Sequence, residues 1–153
     1  MKIELVPVIK VDKKIVDSLR VTKKQVNDGL IYSVPDALSV AKENPHKARP
    51  FFIELNGEII GFTMFAFDEE IENENYRYWL WQLMIDEKHQ GKGYANSILP
   101  LILDYFIEHG VKIITLSTKP SNINAICLYE KFGFKRNGEM NGEEIILQKK
   151  LDS

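Results

Sequence analysis

The 153-residue chain predicts a mixed α/β domain, and three features of its pattern carry that prediction. Short apolar runs rich in β-branched and aromatic residues are paired across Asn56-Gly57 and Asn141-Gly142, dipeptides that favour tight hairpins. Helical spacing appears over residues 95–106 and 123–132. The run Gln90-Gly91-Lys92-Gly93-Tyr94-Ala95 then joins an apolar strand to the first of these helices through two glycines.

Taken along the chain, residues 2–8 alternate as an edge strand closed by Pro7 and the charged residues 10–14. Residues 13–20 and 22–30 are short helical candidates. Ser33-Val34-Pro35-Asp36 opens a further helix, with Ser33 as N-cap and Asp36 favoured by the helix dipole, and Pro45 lies beyond its end. Residues 51–55 and 58–67 form a hairpin, residues 68–75 an acidic loop, and residues 76–85 the next strand, buried from 79 onward. A polar turn over 86–89 leads to the glycine run and a helix that reaches His109, where Gly110 stops it. A strand at 112–117, the helix at 123–132 and a hairpin of 134–139 with 143–149 complete one domain over residues 1–153, without repeat or linker.

Composition narrows the class. Hydrophobic content of 44% and charged content of 27% suit a globular domain with a sizeable core. No apolar stretch approaches the roughly 18 residues of a membrane helix, and Met1-Lys2-Ile3-Glu4-Leu5 places an acid where a secretory signal is apolar. A single cysteine, Cys127, excludes an internal disulfide and suits a reducing compartment, so a cytoplasmic location is expected. His46, His89 and His109 lack metal-ligand spacing, and no metal is expected. A net charge of −2 argues against nucleic acid as the main partner.

The glycine run carries the chemistry. Unpaired N–H groups at a helix start, approached through glycines, make an anion site suited to phosphate or pyrophosphate. The chain has neither the G-x-x-x-x-G-K-[ST] string nor G-x-G-x-x-G, since Asn96 stands three residues beyond Gly93. It does contain Q-x-x-G-x-A, with Gln90, Gly93 and Ala95 in the fixed places. Downstream, residues 122–134 read N-x-x-A-x-x-L-Y-x-x-x-G-F, with Asn122, Ala125, Leu128, Tyr129, Gly133 and Phe134 in place. Together these motifs, in this order, resemble the GNAT superfamily of acetyl-CoA-dependent N-acetyltransferases over residues 51–151.

That resemblance implies a central, mostly antiparallel sheet flanked by helices and splayed at one parallel pair, the strand ending at Ile85 and the strand 112–117. Acetyl-CoA would lie in the gap. Gln90, Gly91, Lys92, Gly93, Tyr94 and Ala95 would hold its pyrophosphate, and Leu83, Met84 and Ile85 would offer a strand edge to its pantetheine amides. Asn122 and Lys131 would complete the cofactor contacts, although Asn122 equally suits a helix N-cap. The resemblance makes Tyr129 the general acid for the departing thiolate, against a plain core contact with Phe132. Cys127 reads as a buried apolar cysteine. Related enzymes often carry an acid near Trp81 or Gln82 to take the amine's proton. Here that strand has none, which leaves Glu54, or else Glu54 is simply a solvent-facing strand residue.

The acceptor is read from charge. Residues 68–74 hold five carboxylates, among them Glu69, Glu70 and Glu72, in a run that attracts a polycation or merely stays solvated. Tyr78, Trp79 and Trp81 suit an aliphatic amine's methylenes and cationic nitrogens. The chain also resembles the bacterial spermine/spermidine acetyltransferases, through Pro50-Phe51-Phe52, Gly61-Phe62-Thr63-Met64, Ile85-Asp86-Glu87-Lys88-His89-Gln90 and Asn137-Gly138-Glu139. A small primary amine, with a polyamine favoured, is the expected acceptor. Protein amines, an aminoglycoside and a silent acyl-CoA-binding module are the rivals, and a homodimer is expected from the family alone.

Overall fold

The computed structural model describes residues 2–8 and 34–151. Its hairpins form where the turn dipeptides require them. Asn56 and Gly57 take positive φ values of 51° and 86°, closing β2 (Ala48–Leu55) onto β3 (Glu58–Phe67) with Leu55 opposite Glu58. β1 (Ile3–Pro7) pairs with β2, and β3 pairs with β4 (Tyr78–Ile85), all antiparallel. β5 (Ile113–Thr118) runs parallel to β4, while β7 (Glu144–Lys150) is antiparallel to both β5 and β6 (Lys135–Asn141). The seven strands form one sheet in the order β1-β2-β3-β4-β5-β7-β6.

Of the boundaries that differ from the sequence reading, three have a clear local reason. β2 begins at Ala48, ahead of Pro50. The Pro50 carbonyl faces Val8, which donates to it at 3.1 Å, so the missing N–H falls where β1 runs out and costs no ladder bond. β4 begins at Tyr78 because residues Glu74–Tyr76 form a 3-10 turn, capped by the Asn73 side chain accepting from the Asn75 N–H at 3.0 Å. The last hairpin turns one residue later than expected: Asn141 pairs with Glu144, so Gly142 and Glu143 make the loop. The expected helices at 13–20 and 22–30 lie outside the described residues.

Among the described residues, three helices cover the sheet. α1 (Val34–Glu43) lies on one face, where Ala41 packs with Phe52, Phe62, Met64 and Met84. α2 (Ala95–Glu108) lies on the other face and buries Ile98, Leu99, Ile102, Leu103 and Phe106, the inward stripe of a 3.6-residue period. Phe106 meets Phe65 edge-on at 4.8 Å and Phe67 at 5.2 Å, an aromatic core that locks α2 to β3. α3 (Ile123–Lys131) follows β5 and buries Ile126 against the same core. α2 and α3 therefore both begin at the C-terminal edge of the parallel pair, where the site lies. No helix among the described residues is long and apolar enough to cross a membrane.

Candidate active site

β4 and β5 meet at one register pair only, Trp79 with Thr115. Beyond it the strands diverge, and the β4 backbone from Leu80 to Ile85 has no ladder partner on that side. A bulge sharpens the divergence: Leu80 and Gln82 oppose the consecutive Phe65 and Met64, which leaves Trp81 as the extra residue. The opening is a cleft of about 1200 Å³, lined by Leu83, Met84 and Ile85 from β4 and by Leu116, Ser117 and Thr118 from β5.

Two helix mouths border one half of this cleft. Gly91 and Gly93 hold φ values of 77° and 78°, and no protein atom lies within 4 Å of the place a Cβ would occupy at either. Among the described residues, the N–H groups of Gly91, Lys92, Gly93 and Tyr94 have no backbone acceptor. The Gln90 side chain donates to the Ile85 carbonyl at 2.8 Å and ties this turn to the end of β4. Gln90, Ala95 and Asn96 line the cleft itself, while Gly91, Lys92, Gly93 and Tyr94 stand outside its wall, with Tyr94 packed on the core. The second mouth belongs to α3. Asn122 makes no side-chain cap there. It holds the N-cap position, as the alternative reading expects, but its side chain donates to Thr118 Oγ1 at 3.0 Å and leaves the mouth open between Asn122, Asn124 and Ala125. Lys131 reaches across to Asn96 Oδ1 at 2.8 Å, joining the two helices beside the cleft.

Tyr129 lines the cleft from α3, half-buried, with its ring edge-on to Phe134 at 5.6 Å rather than against Phe132. Burial raises its phenol to about 12, so the hydroxyl stays protonated across the neutral range. Cys127 is exposed and lines the cleft, contrary to its expected burial. The helix turns Ile126 inward, and the next residue, about 100° round the axis, faces out.

The other half of the cleft is aromatic and polar. Trp79 and Trp81 line it, whereas Tyr78 points through the opposite face onto Phe67 at 5.0 Å and lies away from the cleft. Burial, then the Glu69 carboxylate, raises the Tyr78 phenol. The wall is stapled from outside. Trp79 Nε1 donates to the Tyr76 carbonyl at 2.7 Å, and the Asn75 carbonyl accepts from Thr115 Oγ1 at 2.7 Å and from Gln148 Nε2 at 3.1 Å.

The acidic run contributes less than its composition suggests. Asp68 and Ile71 line the cleft, but Glu69, Glu70 and Glu72 do not. Lys47 draws the run back, meeting Asp68 at 3.3 Å and Glu70 at 3.5 Å, and Asp68 in turn raises the lysine's pKa. Glu54 is also absent from the cleft wall. It stands near the Asn56-Gly57 turn, opposite Glu4 and Ile59, two strands away from β4. Among the described residues no group of three or more His, Cys, Asp or Glu is placed to hold a metal.

A splayed parallel pair with helix mouths at its open end is the geometry the two sequence motifs anticipate, and the chain matches the acetyltransferase (GNAT) family over residues 18–134. The chain belongs to the GNAT family. It is 36% identical over 135 residues to the spermine/spermidine N(1)-acetyltransferase of Bacillus subtilis (strain 168), covering 85% of this chain and 87% of that protein. Its fold is also that of an acetyltransferase from Thermus thermophilus, with a TM-score of 0.74, 20% identity and coverage of 99% and 98%. The spermidine N-acetyltransferase of Vibrio cholerae, solved with CoA and spermine, superposes with a TM-score of 0.65 at 19% identity, covering 97% and 95%. This GNAT chain is therefore an acetyl-CoA-dependent N-acetyltransferase.

Several residues of this GNAT cleft escape sequence reasoning. Ser117, Asn141, Glu143 and Glu144 enter it through the β5–β7 ladder, which is a long-range register. Asn44 and Lys47 enter from the α1–β2 connection. Gln82, 7% exposed, lines it from β4.

Proposed function

We propose that this enzyme transfers the acetyl group of acetyl-CoA directly to a primary amine of a polyamine such as spermidine or spermine, within a ternary complex. The observation that carries the reading is the division of one cleft into two chemically distinct halves. One half offers the α3 mouth and an unpaired β4 edge, with the backbone amides of the Gly91–Gly93 turn just beyond its rim, which suits an amide-bearing arm that ends in a diphosphate at the rim. The other offers two indole rings and the carboxylates of Asp68, Glu143 and Glu144, which suits a flexible cation. The name of the Bacillus subtilis relative supports the same acceptor class.

In this reading the free amine attacks the thioester carbonyl, forming the C–N bond. A backbone N–H of Leu83, Met84 or Ile85 polarises the carbonyl as charge builds on its oxygen. The C–S bond then breaks as Tyr129, protonated at neutral pH, gives its proton to the leaving sulfur, and the proton that the new amide nitrogen sheds passes to solvent in the open cleft, from which the tyrosinate is reprotonated. Holding both reactants along one strand edge supplies much of the remaining acceleration. Glu54 has no part in the proton transfers, since it does not reach the cleft.

Thiol release from acetyl-CoA, measured against putrescine, spermidine, spermine, a lysine peptide and an aminoglycoside, tests the reading. Turnover highest with spermidine or spermine, with a monoacetylated product by mass spectrometry, is the expected result. Preference for the peptide or the aminoglycoside refutes it, and so does binding of CoA without turnover of any acceptor.

A further inference from the structure

Three carboxylates line the cleft, and they are not equivalent. Asp68 is compensated by Lys47 at 3.3 Å. Glu143 stands exposed in the hairpin loop. Glu144 is half-buried at the start of β7, and its Oε1 accepts from Ser117 Oγ at 2.8 Å, while Ser117 Oγ accepts from Asn141 Nδ2 at 3.4 Å. Among the described residues no Lys, Arg or His forms an ion pair with it. The carboxylate is thus oriented by hydrogen bonds that leave its negative charge unneutralised.

Its direction follows from register. Ser117 pairs with Ile146 and Thr115 with Gln148, so Glu144, Ile146 and Gln148 share the face of Ser117 and Thr115. Thr115 is also the register partner of Trp79 across the parallel pair. Glu144 and Trp79 therefore belong to the same face on opposite sides of the gap. Trp79 has already committed its N–H to Tyr76, so it has only its ring to offer a ligand.

Resting on the polyamine reading above, we infer that Glu144 holds a second, non-reacting ammonium group of the acceptor and so sets the preference for di- and polyamines over monoamines. The ammonium takes the free carboxylate oxygen, and the methylene chain crosses the gap along the indole. The reacting nitrogen then lies at the thioester. Ser117 and Asn141 act as positioning residues for that oxygen.

The experiment compares spermidine with n-butylamine in the wild type, Glu144→Gln and Glu144→Asp. The amide keeps the size and the Ser117 hydrogen bond while removing the charge. For Glu144→Gln the KM for spermidine is expected to rise about tenfold, the scale of one charge-assisted hydrogen bond in a partly open site. The KM for n-butylamine stays within about twofold, and Glu144→Asp recovers part of the spermidine affinity. Ser117→Ala provides a second variant, in which a smaller rise for spermidine alone is expected. An equal rise for both amines, or an unchanged KM for spermidine, overturns the assignment. If the wild type itself fails to turn over spermidine, the polyamine reading falls first. If the wild type turns it over and Glu144→Gln matches its KM, the role of Glu144 alone is refuted.

Discussion

Tyr129→Phe tests the acid role and the burial of the phenol together. The hydroxyl is raised to about 12 by loss of solvent, against an ordinary value near 10. Two units correspond to about 2.7 kcal/mol, nearer about 2 once the solvent-open part of the ring is allowed for. The sign follows from proton counting. Between about pH 10 and pH 12 the folded chain keeps a proton that the unfolded chain releases, so this contribution is complete below about pH 10 and is lost as pH rises toward 12. Denaturant titrations at rising pH should therefore show a steeper decline in the wild type than in the variant, in which Tyr78 and Lys47 still titrate late. The rate has its own pH signature. A reacting amine must lose its proton, so wild-type kcat rises toward about pH 10, and a phenol at its ordinary value would bend the curve down there. One held near 12 removes that descending limb from the accessible range. The variant should lose about 100-fold in turnover, with acetyl-CoA affinity nearly unchanged by calorimetry. Turnover within about threefold of wild type at every pH would remove Tyr129 from the chemistry.

Other substitutions probe separate parts of the cleft. Gly93→Ala forces a side chain to φ 78° and should cost about 1–2 kcal/mol of stability in denaturant titration while raising the KM for acetyl-CoA several-fold. Equal KM values would mean the turn does not bind the cofactor. Lys47→Met frees Asp68 and Glu70 from their cation, so the KM for spermidine should fall about two- to fivefold, and an increase would show that the acidic run does not draw the acceptor. Glu54→Gln should leave kcat within about twofold, because the side chain stands outside the cleft, and a large loss would restore it as the base.

The chain announces the proposed cofactor half of its cleft more clearly than the proposed acceptor half, and the difference is physical. Gln90, Gly93, Ala95, Asn122 and Tyr129 act through local geometry: a turn that only glycine tolerates, a helix start, a residue a fixed number of positions into a helix. Those constraints are written in contiguous residues, and the strand–turn–helix order could be read from them directly. The acceptor half is assembled by register. Glu144 reaches the cleft only because β7 inserts between β5 and β6, and nothing near residue 144 reports that neighbour. Alternation along β4 puts Trp79 and Trp81 on the cleft face and Tyr78 on the other, in the core with Phe67, so grouping the three aromatics by residue type overlooks it. The acidic run misleads for a further reason. Composition counts its charges but not the lysine 21 positions before Asp68 that neutralises part of them. Glu54, too, is placed by strand order, on β2 and two positions across the sheet from β4. An acceptor preference in such a fold is therefore carried by few, separated side chains on a fixed cofactor frame, so exchanging the charge at Glu144 should alter which amine is used without disturbing how CoA is held.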